Sequence, residues 1–365
     1  MKTIKTITCH DVYNVGAGLQ AYSLNTYLRQ QGYDAEILDY KPEYLTRHYR
    51  LNVVSNPRYN KPLLREAYLL AKLPGRLKAR KSRKKQEFDL FRQKYLHVSK
   101  RSFRSNEELR KACPAADAYI AGSDQIWNPL FPNGRDPAFY LDFVQYGKKI
   151  SYAASFAVEK LPEEDVETVS ERLSSFDAIS VREKSGVSIL ERLGFSGVQV
   201  CDPVFLLSQH EWREMIGSGW QENNALFVYD FDNSGLITQL ISAMSEAKGL
   251  PVLSYFNRSY AQRCEESGPI EFLQNLAGAS AVLSNSFHAT AFSLIFHKDF
   301  YVVGRKEAIN TRMFDLLAGL GLTDRYLNTV EDWKEAAPIN WMHVDERLAE
   351  QIRRSETFLR EALES

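Results

Sequence analysis

The sequence predicts an α/β protein of two layered α/β/α domains, each built on a parallel sheet, facing one another across a cleft. Three observations predict it. Thr3–Cys9, LQAYSLNTYLRQQG and Ala35–Asp39 read as strand, helix and strand, the opening of a right-handed parallel unit. A second strand–helix series begins near Ala225. The 365 residues, 44% of them hydrophobic, suffice for two cores of ordinary size.

In chain order, the polar turn HDVYNVGAG joins the first strand to a helix that stops at Gly32, where glycine suits the helix end. A basic stretch of about 61–104 follows, with 15 Lys or Arg against 3 Asp or Glu. Its apolar residues recur at helical spacing, so it reads as a helical insertion. ADAYIA (116–121), KISYAAS (149–155), AISV (178–181) and VQVC (198–201) are short strands. REKSGVSILERLG between the last two is a helix with a glycine stop.

The joint between the domains falls near Pro203–Gln221. Beyond it come a strand ALFVYDF, a helix over 234–248, a strand PVLSYF, a helix over 269–277, and strands at Ala279–Leu283 and Phe300–Val303. Asp345–Leu363 has the spacing of an amphipathic helix. The domains therefore read as 1–205, 206–335 and a helical tail, 336–365.

Composition excludes several classes. With 46 basic and 46 acidic residues the chain has no general attraction for nucleic acid. Cys9, Cys113, Cys201 and Cys264 are too scattered for a zinc knuckle or a disulfide framework, which fits a reducing cytoplasm. The opening residues lack the apolar stretch of a signal peptide, and no apolar run is long enough to span a membrane.

The candidate site residues lie where strands end. Ala279–Leu283 runs through Ser284 and Ser286 into His288 and an apolar helix. In open α/β sheets that turn lies at the carboxyl edge, where ligands bind, so His288 would present a titratable ring there. The plainer reading is a capped helix start. Asn14 and Gly16 open the first helix, where free N–H groups favour an anion, or they form an ordinary tight turn. Asp39 ends the second strand where a ribose-binding acid would lie. Ser123, Asp124, Gln125, Trp127 and Asn128 put hydrogen-bonding groups beside an indole, as a sugar-binding surface does, or else they cap a helix and fill a core. Arg182 follows a strand and offers a planar fork for carboxylate or phosphate, with a surface ion pair to Glu183 as the plain alternative.

Taken in order, GAGLQAYSLNTYLRQQGYDAEILDYKP, GSDQIWN, KKISYAASFA, FDAISVREKSGVSILERLG, CDPVFLL and SNSFHATAFSLIFHKDF resemble the polysaccharide pyruvyl transferases, from about Thr6 to Arg325. The resemblance implies two Rossmann-like domains of glycosyltransferase-B type and transfer of the pyruvyl group of phosphoenolpyruvate to two hydroxyls of a sugar. The products are a cyclic ketal and phosphate. It also implies phosphoenolpyruvate as co-substrate without another cofactor or a metal. His288 matches the family's donor-binding general acid, and Arg182 its donor-binding arginine.

The sequence departs from the family at Val15, where an aromatic residue is common, and at Ser286, where an arginine is. Arg305, Lys306 or Arg312 can supply the missing cation. Asn14, Gly16, Ser284, Ser286, Arg305 and Arg312 are then the donor-binding set. Asp124 is the candidate base for the acceptor, and Ser123, Gln125, Trp127 and Asn128 its binding surface. A nucleotide-sugar glycosyltransferase, with Glu307 or Asp315 on the ribose, is the competing enzyme. A non-catalytic binding relative is the competing module. Lys72–Lys85 holds eight Lys or Arg among spaced leucines, like a helix lying on an anionic membrane, or a solvated basic face. The expectation is a cytoplasmic protein able to dock peripherally on the inner face of a membrane carrying a lipid-linked acceptor.

Overall fold

The computed structural model describes residues 1–46, 62–218, 220–306 and 310–365, apart from the side chains of 62–65, 67, 76 and 335. Strands β1 (Thr3–Ile7), β2 (Asp34–Tyr40), β3 (Val98–Phe103), β4 (Ala118–Ala121) and β5 (Lys148–Ser151) form a parallel sheet in the order β3-β2-β1-β4-β5. Strands β6 (Ser180–Val181) and β7 (Val198–Gln199) continue it through parallel bridges such as Ile150 to Ala178. The second lobe holds β8 (Leu226–Tyr229), β9 (Val252–Ser254), β10 (Arg263–Cys264), β11 (Ala281–Ser284), β12 (Asp299–Val303) and β13 (Tyr326–Leu327). They form a parallel sheet ordered β10-β9-β8-β11-β12-β13. Short β-branched and apolar runs, buried on both faces, account for strands of this kind.

Helix α1 (Val15–Gln30) begins earlier than the turn read from HDVYNVGAG. Asn14 is its N-cap and accepts the Ala17 N–H at 3.2 Å, so Gly16 and Gly18 lie in its first turn. The basic segment holds two helices, α2 (Pro62–Arg80) and α3 (Arg83–Tyr95), with Ser82 capping the second. Phe88 and Phe91 of α3 bury against α1. Helices α4 (Asn106–Ala112), α5 (Glu163–Leu173) and α6 (Lys184–Arg192) complete the first lobe. Helix α7 (Gln209–Ile216) lies at the expected joint, opened by a Ser208–Glu211 capping box.

In the second lobe α8 (Gly235–Lys248), α9 (Pro269–Gly278), α10 (Phe287–Ile295), α11 (Thr311–Leu320) and α12 (Val330–Glu335) flank the sheet. The last helix, α13 (Trp341–Glu364), touches both lobes. Near its start Trp341 stacks on His297 at 4.6 Å, and Asp345 pairs with the same imidazole at 2.9 Å. Toward its end Ser355 accepts the Cys201 N–H at 2.8 Å, and the Leu363 carbonyl accepts from Lys2 at 2.7 Å. It acts as a strap.

Trp127 and Asn128 correct the reading of GSDQIWN as an acceptor surface. Trp127 is fully buried, stacks on Tyr140 at 5.4 Å and donates its indole N–H to the Phe139 carbonyl at 3.0 Å. Asn128, also buried, donates to Gln125 at 2.7 Å and accepts the Leu130 N–H at 3.0 Å, which shapes the loop. Trp127→Ala is therefore expected to cost about 3–5 kcal/mol in urea denaturation. A loss of less than about 1 kcal/mol would contradict the core assignment.

Candidate active site

Strand order places the site. In each sheet the order reverses at one point, between β1 and β4 in the first lobe and between β8 and β11 in the second. Loops leaving neighbouring strands there turn to opposite faces and open a crevice. The two crevices meet. A cavity of about 180 Å³ is lined by Cys9, Asn14 and Asp124 from the first lobe and by Phe231, Ser286 and His288 from the second.

Two helices begin at this cavity. Asn14 caps α1 and Ser286 caps α10, the latter accepting the Ala289 N–H at 3.4 Å. The first N–H groups of a helix lack intrahelical acceptors and carry the positive end of its dipole, so two such starts favour an anion. Arg305 and Arg312 also line the cavity. Arg305 reaches Asp232 at 3.2 Å and lies 5.0 Å over the Phe231 ring. Arg312 is 8% exposed, its Nη1 is 3.9 Å from Asp124, and burial, then the neighbouring Arg182 charge, pushes its pKa down to about 10. The Cys9 thiol faces the same space, and burial and the nearby Asp124 hold its pKa well above the ordinary value, so it stays protonated.

His288 and Arg182 meet on a third residue. Arg182 donates to Oδ2 of the buried Asp202, and His288 Nε2 stands 3.6 Å from the same oxygen. Ser123 donates to it at 3.2 Å, and the Val204 N–H donates to Oδ1 at 3.1 Å. Burial opposes ionisation of Asp202, yet the Arg182 guanidinium, His288 and the Val204 N–H hold its carboxyl well below the usual carboxylate range. Phe287 lies between the two arginines, 4.8 Å from the Arg182 guanidinium and 5.7 Å from that of Arg312. On the remaining side of the imidazole α1 comes very close: a Cβ at Gly16 would lie 2.0 Å from His288 Nδ1.

Other expected residues lie elsewhere. Ser123 is fully buried and braces Asp202 rather than facing an acceptor. Ser284 donates to the Tyr229 carbonyl at 2.8 Å and accepts the Ser286 N–H at 3.0 Å, so it fastens the strand end instead of meeting a donor. Gln125 lines the cavity and accepts from Asn128. Asp124 lines it too, at φ 78°, with Oδ1 on the Gln125 N–H at 2.9 Å and 3.8 Å from Arg182 Nη2. Lys306 gives its backbone N–H to Asp232 at 3.0 Å. Glu183 turns away from Arg182 and accepts from Ser155 and the Ala157 N–H, both at 3.0 Å.

Asp39 is engaged by His10 at 2.9 Å, Arg92 at 3.1 Å and Lys41 at 3.2 Å, and it does not line the cavity of His288. Asp315 accepts the Lys184 N–H at 2.9 Å, and Glu307 lies outside the described residues. Asp202 and Phe287 were not singled out from the sequence. CDP was the available signal for Asp202, a buried acid at a strand end before proline. Among the described residues no three His, Cys, Asp or Glu side chains gather as a metal site requires, and no helix is long and apolar enough to cross a membrane.

The polysaccharide pyruvyl transferase family model matches residues 14–307, which contain the residues of this cavity from Asn14 to Arg305. The chain belongs to that family. It is thereby a polysaccharide-modifying transferase. No curated protein matches it. Among solved structures, S. aureus MnaA bound to UDP is similar at 13% identity and a TM-score of 0.50, covering 96% of this chain and 91% of that one. An alpha-glucosyltransferase with UDP and a mismatched DNA 13-mer is similar at 9% identity and a TM-score of 0.50, covering 99% and 95%. At such identities the likeness shows the fold alone: two Rossmann-like lobes of glycosyltransferase-B type.

Because Asp202 titrates below its ordinary range, its stabilisation of the transferase is complete above about pH 4 and is lost as pH falls through the folded value. Asp202→Asn, which strands Arg182, is expected to cost about 3–5 kcal/mol at pH 7 in chemical denaturation and to flatten the acid limb of the stability profile. An unchanged midpoint at pH 7 would contradict this.

Proposed function

We propose that the transferase moves the pyruvyl group of phosphoenolpyruvate onto two hydroxyls of one sugar residue, in a polysaccharide or its lipid-linked precursor, with release of phosphate. The observation that supports it is one cavity where two helix starts, two guanidinium groups and an imidazole converge. Phosphoenolpyruvate carries a carboxylate and a phosphate, and both would find partners there. Arg305 and the first turns of α1 and α10 suit one anionic group, and Arg312 suits the other, in place of the arginine absent at Ser286.

The chemistry follows from the enol phosphate. His288, oriented by Asp202, protonates the methylene carbon, and the adjacent carbon becomes an oxocarbenium-like centre. A sugar hydroxyl attacks that carbon and passes its proton to Asp124. The carbon–oxygen bond to phosphate then breaks, with its electron pair leaving on phosphate. A second hydroxyl of the same sugar attacks, the departing phosphate accepts its proton, and the ketal ring closes. Cationic side chains fixed in a partly dry cavity stabilise the charge that develops on the leaving group.

The acceptor's lipid carrier motivates a further role for α2. Leu70 and Leu77 are 69% and 43% exposed, beside exposed Lys72, Lys78 and Arg80. Such a face suits an anionic membrane surface. Co-sedimentation with vesicles containing acidic lipid is expected at low salt and should be lost at high salt; retention that ignores both lipid charge and salt would contradict it.

Incubation with phosphoenolpyruvate and a panel of saccharides should release phosphate only when both substrates are present. Nucleotide release from a nucleotide sugar instead would overturn the reading. His288→Ala should lower kcat by about 100-fold or more with a small change in donor KM, whereas Arg312→Ala should act chiefly on donor KM. Gly16→Ala should mimic His288→Ala, because the new methyl group displaces the ring. Full activity of Gly16→Ala would remove the imidazole from the mechanism.

A further inference from the structure

Beyond Phe287 and Arg312, which line both, lies a second cavity, of about 280 Å³. It is built from three parts of the chain: the first lobe, α11 of the second, and the strap helix α13. Its cations are Arg182, Lys184, Arg312, Arg347 and Arg354, against the acids Asp202, Asp315 and Glu350. The acids are already engaged. Asp202 takes Arg182, Asp315 takes the Lys184 N–H at 2.9 Å, and Glu350 stands 3.8 Å from Arg354.

The deep cations are incompletely satisfied. Arg182 and Arg312 are 5% and 8% exposed, and Arg182 Nε and Nη2 and Arg312 Nε have no hydrogen-bond acceptor among the described residues. Buried guanidinium N–H groups without acceptors are costly, and here two guanidinium groups share one phenyl ring and one nearby carboxylate oxygen, that of Asp124, at 3.8 and 3.9 Å. Burial, then the Arg182 charge, lowers the pKa of Arg312 despite the nearby acids Asp124, Glu183 and Asp202. An oxyanion with several acceptor oxygens would satisfy these groups, with Arg347 and Arg354 closing over it from the exposed side.

The geometry points to this rear cavity as a second binding site, for a phosphate-bearing anion, adjoining the cavity that holds His288 and sharing Phe287 and Arg312 with it. Since both lobes and α13 line it, an anion bound there ties all three together. It does not depend on the identity of the donor in front.

Isothermal titration of the full chain with inorganic pyrophosphate, inorganic phosphate and a hexose phosphate tests the site and separates free phosphate from sugar-borne phosphate. Pyrophosphate is the primary probe. The double variant Arg347→Ser with Arg354→Ser changes only exposed rim residues. It is expected to weaken pyrophosphate about tenfold or more, while Arg305→Ser, in the front cavity, leaves it within about twofold. Lysine at both rim positions should recover most of the binding. No binding in the millimolar range would overturn the proposal, as would loss in Arg305→Ser without loss in the rim variant. These titrations need no turnover, so their failure is distinguishable from a failure of phosphate release with phosphoenolpyruvate.

Discussion

The carboxylate of Asp202 is the point on which the site is built. One buried oxygen receives Arg182 and Ser123 from the first lobe and stands 3.6 Å from the imidazole of the second. A buried carboxylate is tolerable only when its lone pairs are met by donors, and Arg182, Ser123 and the Val204 N–H meet these. The same contacts fix the directions of Arg182 and His288. The positions of the arginine and the imidazole thus follow from the demand that one internal charge be neutralised.

Around that point the topology repeats itself. Each sheet reverses order once, and each reversal delivers a strand end followed closely by a capped helix: β1 into α1 with Asn14, β11 into α10 with Ser286. Facing the two starts across a cleft doubles the positive dipole field at one small volume. Gly16 makes the approach steric as well as electrostatic, since only a residue without a side chain lets α1 come so near the His288 ring. Chain order and glycine placement therefore bring two helix starts and an imidazole together.

Much of this was legible because it is local. Strand–turn–helix runs at Thr3–Gly32 and Ala279–Phe296 announce both switch points, and His288 and Arg182 stand at strand ends visible as such. What was not legible is non-local. Asp202 matters through residues 20 and 79 positions away, and no spacing rule records such partners. Trp127 read as a sugar platform because its neighbours are polar; its stacking on Tyr140 is a tertiary fact. The early start of α1 was written in Asn14, an ordinary cap residue, but glycines at Gly16 and Gly18 argued locally for a turn.

The connections between lobes also constrain how the cleft can open. Helix α13 is tied to the first lobe through Ser355 and Cys201 and to the second through Trp341, His297 and Asp345. Opening that keeps those anchors must stretch the weakest inter-lobe contacts, and these include the 3.6 Å approach of His288 to Asp202. The Asp202–Arg182 pair lies within one lobe and can survive the motion. A parting of the lobes would separate the imidazole from its carboxylate partner, while the arginine, held within one lobe, would stay set.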